Sequence, residues 1–273
     1  MIKDRTNSKK EVMWFFITTF LLSWMFWLPA LLIQNYNIAF PLSYDFFITS
    51  GIFVPSVLGI IFTFLTEGKK GLHLLFKSLL NFRICFKWWL FVFLVLPSIS
   101  MISCLLFSLF KGTLPQMQFP LLFIPVAFVY ILVFMGPLGE EIGWRGFALQ
   151  KMLLTLSPIR SALTLGLVWS TWHLPLFFIN NTTQNALTDY GIVLAIAGYY
   201  IHTIMISILL TILFIKSAGS VLGSVLLHTV ANMSLGIFPI ILTQNGALIT
   251  LVVLCIVTSA FVIRYKGNMF INK

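Results

Sequence analysis

Charge is what this chain has least of. Seven acidic residues occur in 273, and charged residues of both signs make up only 9% of the sequence, against about a quarter in ordinary soluble domains. Apolar residues reach 59% and the mean hydropathy is +1.01. A water-soluble globular domain of this length cannot hide that much Phe, Leu and Ile, so that class is excluded. Cysteine is sparse as well. Cys85, Cys104 and Cys255 stand apart in apolar surroundings with no CxxC pair, which excludes a disulfide framework and a thiolate metal site. No HExxH pair, internal repeat, low-complexity tract or soluble domain is visible. The formal charge of +10 is scattered over loops between apolar runs, where it reads as a set of topology determinants; no nucleic-acid partner is expected.

What is present is length of apolar chain. A span needs about 20 such residues, and eight stretches qualify, near 12–34, 46–66, 88–110, 120–139, 160–179, 190–215, 219–236 and 246–263. The expected fold is all-α: one integral membrane domain over 1–273 with about eight transmembrane helices and one interfacial amphipathic helix. The interfacial segment is Gly71 to Lys87, which mixes Leu and Phe with Lys77, Arg83 and Lys87. The fourth stretch is expected to continue as helix to about Thr155, because no breaker intervenes before Ser157-Pro158. In the seventh, Gly219, Ser220, Gly223 and Ser224 offer a small-residue face for close packing. With eight crossings, Lys3, Arg5, Lys9, Lys10, Lys69, Lys70, Lys77, Arg83, Lys87, Lys151, Arg160, Lys216, Arg264, Lys266 and Lys273 all fall on one side, and only Lys111 among the bases falls on the other. The positive-inside rule then predicts a multi-pass protein of the cell membrane with both termini cytoplasmic.

Against this background the few polar groups inside apolar runs stand out. Glu140 and Glu141 adjoin in Gly139-Glu140-Glu141-Ile142-Gly143-Trp144-Arg145, and His173 and His228 lie within long apolar segments. An ionisable group at membrane depth is costly and is a functional-site hypothesis by default. At about 1.5 Å of rise per residue, Glu140 lies roughly 22 Å from Thr155, His173 roughly 20 Å from Arg160 and His228 roughly 18 Å from Lys216. Three helices therefore carry their polar residues to a similar level. Spacing adds companions: Glu141 and Arg145 at i, i+4 share a face and predict an ion pair, while Glu140 points about 100° away and is left for another partner. Trp169 shares a face with His173, and Asn232 with His228. Pro137 and Pro175 each remove a backbone donor beside this level.

Taken in order, Glu140-Glu141-x-x-x-Arg145, Trp169-x-x-x-His173 and His228-x-x-x-Asn232 resemble the motifs of the CPBP intramembrane proteases, which include the type 2 CAAX prenyl proteases and bacterial bacteriocin-processing or immunity proteins. The resemblance covers roughly residues 45 to 240, with a catalytic core at about 120–240. One departure is Trp169, where the pattern usually has Phe. The resemblance implies an intramembrane endopeptidase in which Glu140 and His173 activate a water, His228 and Asn232 stabilise the oxyanion, and Glu141, Arg145 and Trp169 support them. The implied partner is a membrane-embedded or lipid-anchored peptide substrate within the bilayer, with oligomeric state left open. A zinc ion held by Glu140, His173 and His228 with water as fourth ligand is the other scheme the residue types allow; without an HExxH pair, a metal-free glutamate mechanism is preferred, with no cofactor. A membrane immunity or regulatory protein that keeps the motifs without proteolysis is the alternative function. The scarcity of polar positions along any one helix speaks against a transporter.

Overall fold

The computed structural model describes residues 5–110 and 113–270; the charges at Lys3, Lys111 and Lys273 lie outside them. In chain order the helices are α1 (Arg5–Tyr36), α2 (Tyr44–Leu79), α3 (Phe86–Leu109), α4 (Ile124–Phe134), α5 (Pro137–Gly143), α6 (Gln150–Met152), α7 (Pro158–Trp172), α8 (Thr183–Ala186), α9 (Ile192–Lys216), α10 (Val221–Ile237), α11 (Gln244–Arg264) and α12 (Lys266–Met269). Among the described residues there is no strand. Helices α1, α2, α3, α9 and α11 are each long and apolar enough to cross a bilayer. Two bent pairs, Leu121–Phe134 with Pro137–Met152 and Pro158–Phe178 with Thr183–Tyr190, bring the number of spans to as many as seven. The eighth apolar stretch folds as α10, a shorter helix of 17 residues. All eight stretches are helical, but eight crossings are not established.

Three expectations need correction. The fourth stretch is not one helix. It breaks at Gly136, which adopts φ 111, and the bend there is 41°. The residue before a proline is pushed out of the α region, and Gly136 resolves that clash with a backbone conformation side chains rarely reach. After α5 the chain winds as a π-helix over Trp144–Leu149 before α6. The interfacial segment is also shorter than expected. Gly68 (φ 65, ψ −160) breaks α2, so the amphipathic piece is 69–79, residues 81–85 are non-helical and Lys87 lies in the first turn of α3. Finally, Lys151 is not a solvated loop charge. It is buried, with Glu11 at 2.6 Å and Glu67 at 2.9 Å.

Helices meet most closely where glycine lets backbones touch. Gly139 and Gly143, one helical turn apart on α5, face α2: a Cβ on Gly143 would lie 2.1 Å from the Pro55 carbonyl, and one on Gly139 would lie 3.0 Å from that of Ile52. From the other side, a Cβ on Gly59 would fall 2.7 Å from Gly143 Cα. Ser56 Oγ completes this seam by donating to the Leu138 carbonyl at 2.8 Å. Small residues spaced by four permit this approach in apolar surroundings. In the small-residue stretch before His228, by contrast, Ser220 accepts from Gly223 N to cap α10 and donates to the Asn81 carbonyl, so it starts the helix. Around α5 stands an aromatic core of Phe15, Trp27, Trp144 and Trp172, all fully buried.

Candidate active site

The break at Gly136 aims the start of α5 into the bundle. A Cβ at Gly136 would sit 2.5 Å from Glu140 Oε1 and 3.8 Å from His228 Cε1, so this glycine is required twice, for its φ and for the room it leaves. Glu140 is 3% exposed. Its other oxygen, Oε2, accepts from the indole N–H of Trp169 on α7 at 2.5 Å. That indole lies edge-on to the His228 ring of α10, with centroids 5.2 Å apart, and one turn beyond it, at the C-terminal cap of α7, is His173. The residues expected to converge from three separate stretches therefore do so, around one tryptophan ring.

Hydrogen bonds decide which face each imidazole presents. His173 Nδ1 lies 2.8 Å from the Trp169 carbonyl. A carbonyl only accepts, so Nδ1 carries the proton and a neutral His173 offers a lone pair at Nε2. His228 Nδ1 lies 2.9 Å from Glu141 Oε1, which places its N–H on the carboxylate in the same sense. The ring of His173 is wedged between Trp172, with centroids 4.6 Å apart, and Tyr199 on α9, at 5.3 Å.

Beneath this level Glu141 and Arg145 form the pair their spacing predicts, Nη1 donating to Oε1 at 2.8 Å, with both side chains wholly buried. Oε1 thus serves two donors on two helices. Among the described residues Glu141 Oε2, Arg145 Nε and Arg145 Nη2 have no hydrogen-bond partner, and the guanidinium instead lies 4.4 Å from the centroid of the Trp169 ring. A cation over an indole face recovers part of what desolvation removes. Asn232, one turn beyond His228, donates from Nδ2 to the Met135 carbonyl at 3.0 Å. That bond ties α10 to the last residue before Gly136 and uses one of the two amide N–H groups.

Among the described residues no group of three or more His, Cys, Asp or Glu side chains is arranged to hold a metal ion. Sequence reasoning missed Tyr199, whose hydroxyl accepts from Gln184 Nε2 at 2.9 Å; a tyrosine in an apolar helix carries no spacing signal. It also gave Gly136 no role, although a glycine before a proline beside the two acids was the available cue.

Fold and site together define a polytopic membrane protein whose helices enclose a carboxylate–imidazole cluster at the break of one span. The family model for the type II CAAX prenyl endopeptidases, Rce1-like, matches residues 88–234, more than half of the chain, and the chain belongs to that family. CAAX prenyl protease 2 of Methanococcus maripaludis is 25% identical to it over 266 residues, covering 95% of each protein. The resemblance seen in the three motifs is therefore shown, and with it membership of a protease family.

Proposed function

We propose that the chain is an intramembrane endopeptidase of the glutamate type, acting on a peptide bond near a hydrophobic or lipid-modified C-terminus. The observation that carries the reading is the placement of Glu140, His173 and His228, from three different helices, around Trp169. Glu140 Oε1 and His173 Nε2 are the two acceptors left for a water. In the reaction the water oxygen bonds to the scissile carbonyl carbon while one of its protons passes to Glu140 Oε1. The carbonyl oxygen becomes an oxyanion facing His228 and the second N–H of Asn232. His228 faces it with Nε2 while its Nδ1 stays on Glu141. Collapse of the tetrahedral species breaks the C–N bond, and the proton held by Glu140 moves to the leaving nitrogen.

The relative's name is the support for a prenylated CAAX peptide as probe. Purified protein in proteoliposomes is expected to cleave such a peptide, and Glu140→Gln to abolish cleavage. Retained cleavage by both Glu140→Gln and His173→Ala overturns the assignment. A chelator is expected to leave the rate unchanged; its loss, restored by zinc, would replace the glutamate scheme with a metal one. Both termini are placed in the cytoplasm on the strength of the basic residues, counted over eight crossings that take in both bent pairs and α10, and reporter fusions at each end test it.

A further inference from the structure

Trp169 meets Glu140 through its indole N–H and lies against Arg145, His173 and His228. The geometry points to its indole N–H as the positioning group for the proposed base, an inference that rests on the protease reading above. Glu140 has two chemically equivalent oxygens, and a carboxylate in a cavity rotates unless one of them is held. The 2.5 Å bond from Nε1 holds Oε2 and leaves Oε1 facing the backbone of Gly136 beside His228. The indole is itself fixed on two sides, with the Arg145 guanidinium 4.4 Å from its centroid and the His228 ring edge-on at 5.2 Å. Its own carbonyl sets the tautomer of His173. One residue thus orients the base oxygen through its ring and the imidazole that shares its water through its backbone carbonyl. Phenylalanine would keep the ring, the stacking with Arg145 and the carbonyl, but would remove the N–H. Trp169→Phe therefore isolates the hydrogen bond.

Expected for Trp169→Phe is a fall in kcat of about tenfold to a hundredfold, the range for a lost hydrogen bond to a charged group. KM on the prenylated peptide should stay within about twofold, and the melting temperature should fall only by what one lost buried hydrogen bond and a smaller ring cost. A second readout needs no turnover. The chain has 8 tryptophans; in protein labelled with 15N-tryptophan, the indole resonance missing from Trp169→Phe should shift in Glu140→Gln while the others keep their places. Wild-type kcat in Trp169→Phe, with Glu140→Gln inactive, overturns the positioning role and leaves the protease reading standing. An active Glu140→Gln overturns the reading itself. An unshifted indole resonance overturns the hydrogen bond whether or not the peptide is cleaved.

Discussion

Neighbouring residues of identical chemistry carry opposite burdens here. Glu141 is enclosed, bonded by Arg145 and His228 together, whereas Glu140 is held by a neutral indole. Removing one member of a buried ion pair leaves an uncompensated charge and costs about 3–5 kcal/mol. Glu141→Gln is therefore expected to lower the melting temperature sharply as well as to impair cleavage. Glu140→Gln keeps an oxygen for the Trp169 N–H, so it should melt like the wild type while losing activity. Parallel thermal melts and peptide-cleavage assays separate the two, and equal melting of both variants would contradict this division. The Glu141–Arg145 pair was legible in the sequence because i, i+4 geometry is local. The second bond of Glu141 was not: His228 lies 87 residues away, and the level at which two helices carry polar groups does not say which atoms meet.

At the scale of elements, the apolar stretches announced the helices within a few residues, and Pro137 marked where one of them is disturbed. What stayed hidden was the form of the disturbance, because Gly136, α5 and the π-helical turn depend on contacts with α2 and α10. Gly136→Ala is expected to be inactive in cleavage, by about a hundredfold or more, because the new methyl claims the place of Glu140 Oε1 and a misplacement of 1 Å is enough for a loss of that size. Gly143→Ala tests a different seam. Its Cβ would meet the Pro55 carbonyl at 2.1 Å, a contact with backbone that no rotamer relieves. Pushing α5 from α2 should cost about 1–3 kcal/mol or more, read as a lower melting temperature. Unchanged stability in Gly143→Ala would mean that the two helices do not touch there.

For the molecule as a whole, composition fixed the membrane environment and left the number of crossings open. Helix α10 has 17 residues and spans about 25 Å, less than the roughly 30 Å of a hydrocarbon core, so apolar length alone cannot decide whether it crosses. Counting loop charges has a similar blind spot. Lys151 scored as one more cytoplasmic base, yet it joins the first helix, the second and the end of the broken span by meeting Glu11 and Glu67. Charges gathered from three helices hold the end of the bundle that lies below the Gly139–Gly143 seam. Lys151→Met removes the cation that Glu11 and Glu67 share, and the expected loss is about 1–3 kcal/mol. That is below the value for a dry pair because Glu67 is 38% exposed and water screens part of the interaction. Adding Glu11→Gln and Glu67→Gln to Lys151→Met should return most of the lost melting temperature. The two side chains that faced the cation are then neutral, and the apolar methionine packs where the ammonium had lain over Phe147. A triple variant no more stable than Lys151→Met would show that the lysine acts through its packing and that its charge contributes little.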